Sequence, residues 1–102
     1  MKKLLIGMLL ITPSADPRKD CAYIDNKDAT VLFFFVNSYA MAAEYAKVLA
    51  AMGCDTIELC PGFGHEGVAA VKRAVGNKVP VGVVRFDNFP PFGTMSADAF
   101  QN

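Results

Sequence analysis

Between positions 58 and 67 the chain mixes side chains able to do chemistry, Glu58, Cys60, His65 and Glu66, with Gly62, Phe63, Gly64 and Gly67. A thiol near the single histidine suggests a thiolate–imidazole pair, in which the ring takes the thiol proton and the thiolate attacks as nucleophile. The competing reading is an inert thiol, because a free cysteine usually behaves as a small apolar group. His65 is the simplest general base near neutral pH, or else a solvated first-turn residue. Glu58 lies among apolar neighbours. A carboxylate buried there requires a cation, and Arg85 on a neighbouring strand is the natural one. Glu58, Cys60 and His65 could also hold a metal, but their spacing matches no standard zinc pattern, and no cofactor is expected.

Residues 62 to 67 read GFGHEG, a GxGxxG turn, and Asp87 follows the last glycine by twenty positions. Dinucleotide sites use such glycines for close backbone approach, a helix N-terminus for the pyrophosphate and an acid for the ribose. Here Pro61 separates the first glycine from its strand, and fifteen residues after Asp87 are too few for a second nucleotide-binding half. A phosphate or carboxylate needs less: the backbone amides of Gly62 to Gly67 and a clamp such as Arg85. The plainest alternative is that the glycines only turn the chain tightly.

The elements that must position these groups follow from hydrophobic patterning. Leu4 to Ile11 is continuously apolar, as expected of a strand covered on both faces. Cys21 to Ile24 can add a short strand, and Thr30 to Val36 is a β-branched and aromatic central one. Asn37 or Ser38 caps a helix running to about Met52 and stopping at Gly53. Its small face (Ala42, Ala43, Ala46, Ala50) lets it lie close on a sheet, with Tyr45, Leu49 and Met52 supplying bulk. Thr56 to Cys60 is the next strand. A second helix runs from near His65 to Gly76, with Val68, Val71 and Val75 inward and Glu66, Lys72 and Arg73 in water. Val79 to Phe86 is the last strand, and Pro80 marks it as an edge or a strand start.

The order β-β-α-β-α-β predicts an α/β fold with a small, mostly parallel sheet in a half-wound three-layer domain over residues 1–87. Ligands of such sheets collect at the carboxyl ends of the strands. That edge gathers Asn37 and Ser38, then Cys60 to Gly67, then Arg85 and Asp87. Period-two alternation puts Glu58 and Cys60 on one face of their strand.

With 53% hydrophobic and 20% charged residues, the 102-residue chain can bury a core and is not disordered. Ten basic residues balance ten acidic ones, which excludes the strong basic field of a nucleic-acid binder. The longest apolar run falls well short of the roughly 20 residues of a membrane helix. MKKLLIGMLLITPSA imitates a secretory signal, but a cut after Ala15 would put Pro13 where a small residue is preferred. Three cysteines without a CxxC pair point to a reduced, cytoplasmic protein. Residues 88–102 carry Phe89, Phe92 and Phe100 without periodicity, a tail expected to dock on its own domain or on a neighbouring subunit. Two helices cover such a sheet poorly, which suggests a homo-oligomer.

Ile57 to Asp87, IELCPGFGHEGVAAVKRAVGNKVPVGVVRFD, resembles the signature of a family of small bacterial proteins of unknown function. The resemblance implies that Glu58, Cys60, Gly62, Gly64, Gly67, Arg85 and Asp87 belong to one shared feature, but it brings no reaction. More faintly, AAMGCDTIELCPG resembles the helix-to-strand joints of (β/α)-barrel enzymes. The expectation is a protein that binds a small anionic or polar metabolite at the carboxyl edge. If it is an enzyme, Cys60 or His65 reacts, Arg85 clamps the anion and Gly62 to Gly67 cradle it. A non-catalytic assembly or regulatory subunit and a nucleotide binder are the alternatives.

Overall fold

The computed structural model describes residues 2–86, 91, 93 and 95–101. Its elements run β1 (Leu4–Ile11), β2 (Cys21–Asp25), β3 (Ala29–Val36), α1 (Tyr39–Ala51), β4 (Thr56–Leu59), α2 (His65–Val75), β5 (Val81–Val83) and α3 (Asp98–Gln101). They build one five-stranded sheet in the order β2-β3-β1-β4-β5. β2 pairs antiparallel with β3, and every other pairing is parallel.

Local chemistry sets the helix limits where the sequence places them. The Ser38 hydroxyl accepts a hydrogen bond from the Met41 N–H at 3.1 Å and caps α1. Gly53 and Gly76, at φ 88° and 60°, end the two long helices in a backbone region that side chains disfavour. Pro80 directly precedes β5, an edge strand where its missing N–H costs no ladder bond. That strand covers only Val81–Val83, shorter than the apolar run from Val79 to Phe86 suggests.

The layering departs from expectation. α1 carries the chain from β3 past β1 to β4, and α2 carries it onward from β4 to β5, so both crossovers advance in the same direction. Right-handed crossovers that advance together fall on the same side of a sheet. Leu9, Ile11, Val36, Ile57 and Leu59 from the strands accordingly share one core with Ala42, Ala46, Leu49, Val71 and Val75 from α1 and α2. The domain has two layers, not three. β1 is buried only on alternate residues, and its continuous apolar run reflects an apolar second face rather than a second helix layer.

Contact between α1 and the sheet is close because β1 has a glycine beneath Leu49. A Cβ on Gly7 would stand 2.9 Å from Leu49 Cδ1 and 3.3 Å from Cys54 Sγ. Tyr45 packs against Phe34, their ring centroids 5.3 Å apart. Met52, expected to add bulk, is instead exposed at the end of the helix. Leu49→Ala is therefore expected to cost about 2–5 kcal/mol of unfolding free energy, and Met52→Ala less than about 0.5 kcal/mol. Chemical denaturation of the two variants measures the contrast.

Candidate functional site

α2 starts at Gly64, which has no side chain to cap the helix, so its first amides need acceptors from elsewhere. The chain supplies them. Asp98 Oδ2 accepts from the Glu66 N–H at 3.1 Å, and Asp98 Oδ1 accepts from the Tyr39 hydroxyl at 2.8 Å. The Tyr39 oxygen in turn accepts from the Gly64 N–H at 3.1 Å. Asp98 is itself oriented by its own N–H donating to Ser96 Oγ at 3.1 Å. A carboxylate thus occupies the position at the positive end of α2 where an anionic ligand was expected, and it comes from the C-terminal segment.

Tyr39 joins these pieces. It stands at the start of α1, buried, with its ring stacked on Phe63 at a centroid distance of 5.7 Å. Burial pushes its phenol up to about 12; the Gly64 N–H opposes this, and the Asp98 carboxylate adds to the rise.

The glycines of GFGHEG serve these same contacts. A Cβ on Gly62 would stand 2.6 Å from Ile11 Cγ2, one on Gly64 would strike the Asp98 carboxylate, and one on Gly67 would strike the Tyr39 ring. Each absent side chain is filled by another part of the chain. Phe63, expected to line a ligand, is a core residue at 4% exposure.

The other expected site residues are dispersed. Glu58 is exposed on the helix-free face, in register with Met8 and Gly82, so the buried carboxylate inferred from its apolar neighbours is corrected. Cys60, just past β4, is half-buried against the core, so strand alternation does not carry it to the face of Glu58. His65 is exposed, and among the described residues no hydrogen bond joins it to Cys60. Those residues contain no group of three or more His, Cys, Asp or Glu side chains placed to hold a metal ion. Glu66 enters the network through its backbone N–H, and Ser38 is spent on the α1 cap. Arg85 is exposed, and Asp87 lies outside the described residues.

Asn37 belongs to a different place. A depression of about 400 Å³ opens at the carboxyl ends of β1 and β3, lined by Asp16, Pro17 and Arg18 on the loop after β1, by Asn37 after β3, and by Met41 and Tyr45 of α1. Arg18 Nε and Nη2 donate to the two Asp16 oxygens at 3.2 and 3.3 Å. The Arg18 side chain, with help from its backbone N–H, holds the Asp16 carboxyl below the usual carboxylate range. The sequence carries no periodic signal for this loop beyond its turn residues. Tyr39 and Asp98 were also missed, since 59 residues separate them.

Tyr39→Phe should remove the donor to Asp98 and the acceptor for Gly64, costing about 1–3 kcal/mol. The sign of the pH effect follows from the raised phenol. The stability tied to it is fully present below pH 10, the usual tyrosine value, and is lost as pH rises toward about 12. Unfolding midpoints measured across that window should fall in the wild type and fall less in Tyr39→Phe. Gly67→Ala should lose about 1–3 kcal/mol through overpacking, whereas an unobstructed helix site would gain up to about 1 kcal/mol. The sign of the change separates a steric role from a merely helical one.

The described residues include no helix long and apolar enough to cross a membrane. The chain matches no curated protein and no solved structure. A family model does match it over residues 4–99, from the first residue of β1 into α3, and the chain belongs to that family, a family of unknown function (DUF6506).

Proposed function

We propose that the protein binds a small anionic or polar metabolite at the carboxyl edge of its sheet, in the crevice between the loops that follow β1 and β3. One observation carries this reading: the 400 Å³ depression lies where the chain leaves two adjacent parallel strands. Open α/β sheets hold ligands in such crevices, and this volume is within the common range for small-molecule sites.

The lining suits a compact ligand with both polar and apolar parts. Arg18 uses two of its nitrogens on Asp16, which leaves guanidinium donors for a carboxylate or phosphate. Asn37 is exposed and makes no side-chain hydrogen bond among the described residues. Met41 and Tyr45 offer the apolar wall. The Gly62–Gly67 turn is the weaker location, because Asp98 already takes the Glu66 amide that an anion or nucleotide phosphate would use. Among the described residues no hydrogen-bonded pair supports thiol or acid–base chemistry by Cys60, His65 and Glu58, so the reading is one of binding.

A thermal-shift series on the full chain tests this, with inorganic phosphate, small carboxylates, amino acids and nucleotides as probes. A ligand at 100 times its dissociation constant adds about 2.7 kcal/mol, several degrees for a domain of this size. The expected result is a shift that disappears in Arg18→Ala and Asn37→Ala and survives in Cys60→Ser. A shift that survives both crevice variants and disappears in Asp98→Asn would move the site to α2. No shift with any probe would end the binding reading.

A further inference from the structure

The face of the sheet opposite α1 and α2 carries an apolar surface over β1, β3 and part of β2, bounded on β4 by Glu58. Strand register sets Ile6 beside Val31, Met8 beside Phe33 and Leu10 beside Phe35, all half-buried and alternating with the core residues of the same strands. Ile24 extends the patch onto β2 and is 61% exposed. Asp98 lies on the helix side, bonded to Tyr39 and to the first turn of α2, and Ala97 beside it is buried. Surfaces of this kind on soluble domains mark interaction sites.

We propose that a second copy of this chain covers the face, so that two sheets stack in a four-layer dimer with the helices outermost. Size is the first argument. At about 4.8 Å between strands and 3.3 Å per residue, the 25 residues of β2, β3, β1 and β4 give a flat footprint of about 400 Å². Two copies with side-chain relief reach about 1,000 Å², the lower bound for a specific interface.

Charge is the second argument. The chain has no net charge, so copies do not repel. The lysines before β1 are neutralised, Lys2 by Asp55 at 2.7 Å and Lys3 by Asp25 at 2.6 Å. These pairs leave no net basic field before β1 for an anionic membrane or protein, whereas an apolar patch is complementary to itself under a two-fold axis.

Glu58 then selects the arrangement. An axis along the strands, centred between β3 and β1, lays β4 of one copy over β2 of the other and sends the two Glu58 carboxylates to opposite rims. An axis across the strands would stack β4 on β4 and bring the carboxylates together, which is unfavourable.

Sedimentation and light scattering of the full chain up to ~100 µM, where mass action favours association, test the proposal. The expected result is twice the 11.0 kDa chain mass, with Phe33→Glu monomeric and still unfolding cooperatively. Should Phe33→Glu fail to fold, Ile24→Glu at the exposed edge carries the same test, with dimer association weakened about tenfold or more by a second carboxylate placed near Glu58 of the other copy. A monomeric wild type, or a dimer unchanged by Ile24→Glu, overturns the proposal. So does a monomer that binds phosphatidylcholine–phosphatidylserine vesicles through this face, which would assign the surface to lipid.

Discussion

Handedness acting on strand order is the constraint from which the rest of the molecule follows. β3, β4 and β5 succeed one another in a single direction across the sheet, and each step is bridged by a helix. A right-twisted strand feeding a right-handed helix can return to the sheet only on one side, and two such steps in one direction choose the same side. β1 is already in place between β3 and β4, so α1 must pass over it. Gly7 makes that passage close by leaving room for Leu49, which is fully buried. The covered face, the open face and the position of every loop at the carboxyl edge are consequences of that geometry.

The second consequence is competition for the positive end of α2. A helix N-terminus presents unpaired amides and a partial positive charge, and it accepts whatever carboxylate or phosphate can reach it. Here the C-terminal segment returns Asp98 to the spot, and Tyr39 spans from α1 to share the load. A glycine-rich turn before a helix is commonly read as room left for a ligand. In this chain the room is occupied by Ile11, Asp98 and Tyr39. The same residue pattern therefore supports a structural role, and exposed polar groups of the carboxyl edge lie one crevice away, at Arg18 and Asn37.

What the sequence made legible was local. Ser38, Gly53 and Gly76 mark helix ends through interactions within a few residues, and the strand runs and valine spacing of α2 act over one element. The main strands and helices could therefore be placed, although the expected order β-β-α-β-α-β lacks one of the five strands and the short α3. Glu58 shows where local reading stops: its apolar neighbours imply burial, but only the absence of a helix on that face explains its exposure. Asp98 reaches Glu66 from 32 residues away, in a segment with no periodicity, so nothing near either residue announces the contact. Tyr39 and Gly67 fit each other across two helices, and neither carries a pattern until both are placed.

β3 links the crevice of the proposed ligand site with the apolar face of the proposed dimer. Its alternate residues face opposite ways: Phe34 supports Tyr45, which lines the carboxyl-edge crevice, while Phe33 and Phe35 stand on the apolar face. Close-packed interiors transmit small displacements, so whatever presses on Phe33 and Phe35 acts on the strand against which Tyr45 of α1 packs. The crevice wall and the open face are thus mechanically one strand thick. The loop carrying Asp16 and Arg18 continues β1 directly, and β1 is the strand paired with β3 along its whole length. Ordering of the apolar face and ordering of the crevice therefore draw on the same two central strands.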